Sequence, residues 1–205
     1  MEYEGLTQDD LANVRALNRR WLRLHRDAAA GGACLTDNQL GRLAATPFLL
    51  FSFREQDEQL WRSLLEPGQQ QDLLATSATV SAELLALQSA GLAFLWELAR
   101  RNPYVARVVS AAPLSWCEQI AALTLVRVLD SVGRSRVIAT RFDDASSLYR
   151  RLLRRGGSAL REARVFAQIA ALQAMLTSAE LVPYRRFPAA ACRMPRPAQQ
   201  VADKV

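Results

Sequence analysis

Lysine is almost absent from this chain: Lys204 is the only one in 205 residues. His25 is the only histidine, and the three cysteines, Cys34, Cys117 and Cys192, lie far apart with no CxxC pair. An odd, scattered set supports neither a disulfide framework nor a cysteine zinc site, so no metal and no other cofactor is expected. One histidine removes most of the usual vocabulary of acid–base and nucleophilic catalysis. No GxSxG, Walker lysine, HExxH or GxGxxG occurs either, and the chain reads as a non-enzyme. No apolar run approaches the roughly 18 residues that cross a bilayer. The first thirty residues carry Glu2, Glu4, Asp9 and Asp10 where a signal peptide would be positive. The expectation is a cytoplasmic protein without a membrane partner.

What remains is apolar residue and arginine. Half of the chain is hydrophobic and 22% is charged, enough to bury a sizeable core and to exclude disorder throughout. The charge is divided by sign. Residues 1–99 carry 8 Arg against 13 acids, a balance of −5, whereas residues 100–205 carry 18 Lys plus Arg against 7 acids, a balance of +11. That asymmetry points to an anionic partner or to pairing between unlike halves.

The periodicity is helical from end to end. Thr7-Gln8-Asp9-Asp10 opens a helix as a capping-box variant, and Leu11, Val14, Leu17, Trp21, Leu24 and Ala28 follow on one stripe, predicting a helix over about 8–29 that Gly31 and Gly32 end. Thr36-Asp37-Asn38-Gln39 opens a short helix that Pro47 must stop. Phe48 to Phe53 is too short and too uniformly apolar for periodicity to decide between strand and helix; it reads as a buried connector. Asp57 caps a helix with Leu60, Trp61, Leu64 and Leu65, ended by Pro67-Gly68. From Gln69 to Arg101 runs one long helix or two with a break near 76–81, and Gly91 costs it about 1 kcal/mol relative to alanine. Asn102-Pro103 stops it. Ser115-Trp116-Cys117-Glu118 reads as a third capping box, opening a single central helix through Leu129 to Gly133. A helix over about 144–155 turns Leu148, Tyr149, Leu152 and Leu153 inward, and the last presents Leu160, Phe166, Ile169, Leu172 and Leu176. Leu60 to Leu65 resembles Leu148 to Leu153, through duplication or through the ready chance match of leucine-rich helices.

These elements predict an all-α fold, a multi-helix bundle of about seven helices with a flexible basic C-terminal tail. Residues 1–112 form an N-terminal helical region and 113–182 an arginine-rich one within one continuous domain, and 183–205 a disordered tail. Asp143 and Asp144 read as a helix start, since adjacent acids suit the N-terminal dipole without any ligand. Between Arg100 and Arg164 stand 13 arginines and 5 acids. Arg134, Arg136 and Arg141 surround a turn, and Arg150, Arg151, Arg154 and Arg155 share a helix face at spacings of three and four. Arg134, Arg136 and those four helix arginines are the candidate contacts to DNA phosphates; the alternative is a solvated face or an interface to an acidic protein.

The stretch from Leu35 to Arg54 carries Leu-Thr, a glutamine three residues on, Leu-Ala, Thr, and an apolar run ending in Phe-Arg. This pattern resembles FlhD, the bacterial flagellar transcriptional regulator; the likeness covers about residues 10–65, includes Asn18 in its leucine-rich stripe, and is strongest at 35–54. The resemblance implies a helical, dimerising, non-enzymatic regulator that contacts DNA or a DNA-bound, FlhC-type partner. It makes Leu40, Leu43, Leu49, Leu50, Phe51 and Phe53 core or dimer residues. FlhD chains are much shorter, so nothing beyond about residue 115 has a counterpart. Phe51 stands where family members can place a cysteine, so no intersubunit disulfide is expected there. The expected partners are a second copy of the chain, a protein partner and DNA; the rival class is a helical protein–protein interaction module, adaptor or chaperone-like, that binds no DNA.

Overall fold

Local chemistry at the first helix sets the pattern for the rest. Thr7 Oγ1 accepts a hydrogen bond from the Asp10 amide at 3.1 Å while the Asp10 carboxylate accepts from the Thr7 amide at 2.9 Å, so two orphan donors are satisfied reciprocally. The other Asp10 oxygen accepts from Arg101 Nη2 at 2.5 Å, tying the start of this helix to a residue 91 positions away. Burial alone would raise the Asp10 pKa, but the bonds from Thr7 and Arg101 outweigh it and hold the carboxyl below its ordinary value.

The computed structural model describes residues 5–25, 35–65, 81–132, 135–141 and 147–180. Among these residues the chain forms nine helices and one two-residue ribbon: α1 (Gln8–Leu24), α2 (Asp37–Ala44), β1 (Phe51–Ser52), α3 (Glu58–Leu65), α4 (Ala82–Arg101), α5 (Pro103–Ser110), α6 (Leu114–Ala122), α7 (Leu125–Val132), β2 (Ala139–Thr140), α8 (Ser147–Gly156) and α9 (Arg161–Glu180). The fold is mostly helical, as expected, with nine helices in place of about seven. One hydrophobic cluster runs from Val14 to Met175 and so spans both sequence regions. Gly31, Gly32, Pro67, Gly68, Gly133, Asp143, Asp144 and the tail from 183 lie outside the described residues.

α4 is the axis. By length and composition it alone among the described helices is long and apolar enough to cross a bilayer, with a mean hydropathy of 1.2 over 18 residues. Here Leu87, Leu92, Leu95 and Leu98 are buried, and α1, α5, α6 and α7 pack around it, which is the setting of a core helix. It starts at Ser81, whose side chain accepts from the Leu84 amide at 3.2 Å.

Four boundaries differ from the sequence reading. α1 stops at Leu24 with His25 as its C-cap, where the apolar stripe predicted a run to about 29. Asn102 does end α4, but its side chain also accepts from the Tyr104 and Val105 amides, and Pro103 fits the first helical position, so the same pair starts α5. The third capping box does not form. α6 begins at Leu114 directly after Pro113, whose fixed φ of −58° sets the entry, and Ser115 lies inside the helix. The single central helix is two, because Thr124 caps a new one: Arg127 N–H donates to Thr124 Oγ1 at 3.3 Å.

Residues 48–53 are an extended buried connector, of which Phe51 and Ser52 pair antiparallel with Thr140 and Ala139. A connector through a core must have its backbone polar groups satisfied. Asn18, fully buried, supplies much of this: Nδ2 donates to Phe48 O at 2.8 Å and Thr46 Oγ1 at 3.2 Å, and Oδ1 accepts from the Leu50 amide at 2.9 Å. The Leu49 amide donates to Val109 O at 2.9 Å. Gln88 does the same for the segment before β2, accepting from the Val137 and Ile138 amides and donating to Val132 O and Ser135 O.

α9 packs against α8, and its buried residues are Ala167, Ala171 and Met175; of the larger apolar residues that the sequence singled out, Leu172 is half-buried against the core and Leu176 half-buried. Alanines one turn apart allow the helices to approach closely, and Leu160, Phe166 and Ile169 are left 71%, 57% and 59% exposed.

Gly91 is where close packing decides. A Cβ there would sit 2.6 Å from Phe53 Cζ, and Phe53 is enclosed on all sides, edge-on to Phe51 at 5.4 Å. Gly91→Ala should therefore destabilise by about 1–3 kcal/mol through overpacking, reversing the gain of about 1 kcal/mol that helix propensity alone promises. Denaturant unfolding of the variant checks this; a stabilised Gly91→Ala would refute the packing account.

Candidate anion-binding surface

The α8 sequence SLYRRLLRRG alternates leucine and arginine pairs at the helical period. Leu152 is buried, Leu148, Tyr149 and Leu153 are half-buried, and Arg150, Arg151, Arg154 and Arg155 are all exposed on the opposite side. With Ser147 the four arginines line a shallow cleft of about 300 Å³ with no carboxylate among the described residues that line it. Arg151, Arg154 and Arg155 make no ion pair among the described residues. The helix ends where Gly156 and Gly157 let it dock on α2: a Cβ at Gly156 would lie 3.0 Å from Leu43 Cδ1, and one at Gly157 3.2 Å from Gln39 Cβ.

The other sequence-predicted contacts lie elsewhere. Arg136 is exposed and sits near His25, at the end of α1. His25 is stacked on Trp21 with ring centroids 3.6 Å apart; its burial, and next the Arg136 charge, lower its pKa although the Trp21 carbonyl opposes them. Arg134 lies outside the described residues. Arg141, grouped with these in the sequence, is no surface residue. Its side chain is 7% exposed, donating from Nε to Leu49 O and Phe51 O and from Nη2 to Phe51 O and Glu55 Oε1 at 2.7 and 3.0 Å. It is a brace for the buried connector.

The residues assigned to core or dimer by resemblance lie within this chain's own interior. Leu43, Leu49, Leu50, Phe51 and Phe53 are buried, and Leu40 is half-buried against them. Cys117 is also buried, with its thiol pushed up to about 12 by burial and then by the nearby Glu55 charge, far from reactive thiolate chemistry. Cys34 and Cys192 lie outside the described residues.

A second basic surface is invisible in the sequence. Arg15 and Arg19 of α1, Arg42 of α2, and Arg161 and Arg164 of α9 converge on a groove of about 600 Å³ in which Asp37 is the one carboxylate among the described lining residues. A second cleft that shares Arg19, Asp37 and Gly41 with it adds Arg23. Arg15, Arg19 and Arg23 are spaced by four, so the sequence shows their common face on α1, but nothing in it brings residues 42 and 161–164 beside them.

No family model matches the chain, and neither a curated protein nor a solved structure does so.

The structure separates two kinds of arginine, and substitution should too. Arg141→Met leaves Glu55 buried without a counter-charge and should cost about 3–5 kcal/mol, whereas alanine at Arg151 or Arg155 should stay within about 0.5 kcal/mol. Urea unfolding of the three variants decides; a loss below about 1 kcal/mol for Arg141→Met would show that the brace is dispensable.

Proposed function

We propose that the protein is a non-enzymatic, FlhD-like transcriptional regulator that self-associates and contacts DNA or a DNA-bound partner. The observation that carries the DNA contact is the α8 face: four exposed arginines on one side of a helix, with no acid among them. Guanidinium groups so placed meet backbone phosphates together, giving affinity and orientation without reading bases. The FlhD-like part rests on the sequence pattern at 35–54, which here is α2 followed by the buried connector.

Replacing Arg150, Arg151, Arg154 and Arg155 by alanine should weaken binding to a generic duplex and flatten the dependence of log K on log salt by about 0.9 for each phosphate that is no longer neutralised. Fluorescence anisotropy between about 50 and 200 mM salt measures both. Unchanged affinity and slope would reject the α8 face.

One observation favours a second reading, an interaction module whose partner is another copy of the same chain. Val165, Ile169, Leu172 and Leu176 recur at spacings of four and three along α9, a short seam in which Val165 and Ile169 are 43% and 59% exposed, flanked by exposed Phe166 and by the uncharged Gln168 and Gln173. An antiparallel two-fold pairing of α9 would bury this seam while keeping Arg161 and Arg164 away from their own copies. Sedimentation should then show a concentration-dependent dimer that Ile169→Glu abolishes with little change in thermal stability. A monomer at every concentration would exclude this interface.

A further inference from the structure

We infer that the groove between α1, α2 and α9 is a phosphate-binding site in its own right, separate from the α8 face. Five arginines from three elements meet there, drawn from positions 15 to 164 of the chain. Surface charges of one sign repel and have no reason to cluster for stability. Among the described residues Arg15, Arg19 and Arg161 make no ion pair that would offset the clustering. The remaining two are held in place by backbone rather than by acids. Arg164 Nη1 donates to Ser158 O at 2.9 Å and Ala159 O at 2.8 Å, and Arg42 Nη1 donates to Gly157 O at 3.4 Å. These bonds occupy one guanidinium nitrogen of each and leave the others for a ligand, so part of the ordering cost is met before binding.

The backbone adds to the same field. Asp37 and Asn38 are the first residues of α2, and Arg161 is the first of α9, so two helix N-termini lie at the groove. That of α2 is capped by Thr36 and carries the Asp37 carboxylate, and the positive dipole end of α9 adds to the arginines. The volume suits a small ligand, and the guanidinium-rich lining suits charged oxygens rather than an apolar molecule. The chemistry selected is therefore a phosphate-bearing group with more than one negative charge. Two sources fit that chemistry: phosphates of a nucleic-acid backbone continuing past the end of α8, to which Arg42 is joined at Gly157, or a free polyphosphate compound.

The test uses the full chain, with inorganic tripolyphosphate and a short DNA duplex as probes. Tripolyphosphate at a hundredfold excess over its Kd should raise Tm by roughly 5–10 °C. The double variant Arg19→Ala/Arg161→Ala, at two exposed positions, should lose that shift and, without ligand at low salt, should melt no lower than the parent because repulsion is relieved. The α8 quadruple variant should keep the tripolyphosphate shift, which separates this site from the DNA reading. If the double variant also loses tenfold or more in duplex affinity, the source is the nucleic-acid backbone; if duplex binding is unchanged while the shift is lost, the source is a free polyphosphate. Either result supports the site. A Tm that tripolyphosphate leaves unmoved, or moves equally in the double variant, overturns it.

Discussion

A run of peptide groups from Thr46 to Phe53 passes through the interior with only two residues in a ribbon, and the rest of the molecule is arranged around satisfying them. All of these residues but Pro47 and Ser52 are buried, and each buried polar group left unpaired would cost about 1–3 kcal/mol. The answer is side chains sent in from distant helices: Asn18 from α1, Trp61 from α3, whose indole N–H donates to Phe53 O at 3.1 Å, and Arg141 from just after β2. Because Asn18 bonds to residues on both sides of Leu49, it fixes the position of the connector along α1 as well as its polar groups. That in turn places α2, on which α8 docks, and so the basic surfaces follow from how a buried strand segment is hydrogen-bonded.

Local signals were the legible ones. The capping boxes at Thr7 and Thr36 form, as does the cap at Asp57, each from residues within three positions of one another, whereas the equally local box at Ser115 is overridden by Pro113, which starts the helix earlier. Periodicity identified α9 but not which of its faces is buried: both a large apolar stripe and an alanine stripe repeat at helical spacing, and the closeness of α8 selects the smaller. Asn102-Pro103 was ambiguous for a related reason, since the residues that stop one helix are also those that start the next. Arg141 and the arginine groove were illegible. An arginine reads the same whether it braces a core or faces water, and the meeting of residues 15, 42 and 161 is a property of the tertiary fold alone.

Among the described residues the charge asymmetry seen along the chain is not kept as two separate sets of residues. Two arginines of the acidic half, Arg15 and Arg19, stand in the groove beside Arg161 and Arg164 of the basic half, while Asp10 is consumed by Arg101 and Glu55 by Arg141. Ion pairing across the halves takes carboxylates and guanidinium groups out in equal number, so the arginine faces come from how the remaining arginines cluster and not from a change in the net charge of +6.

The Arg141 brace also has a bearing on how the chain is made. Its bonds to Leu49, Phe51 and Glu55 join residues 86 to 92 positions apart, and Gln88 waits on residues 44 to 50 positions further on. Synthesis proceeds from the N-terminus, so the connector emerges from the ribosome long before its guanidinium partner. For that interval Glu55 has no buried counter-charge, and the core around Phe51 and Phe53 cannot close in its final form. The region made first therefore reaches its final hydrogen-bonded form only after residue 141 has been made.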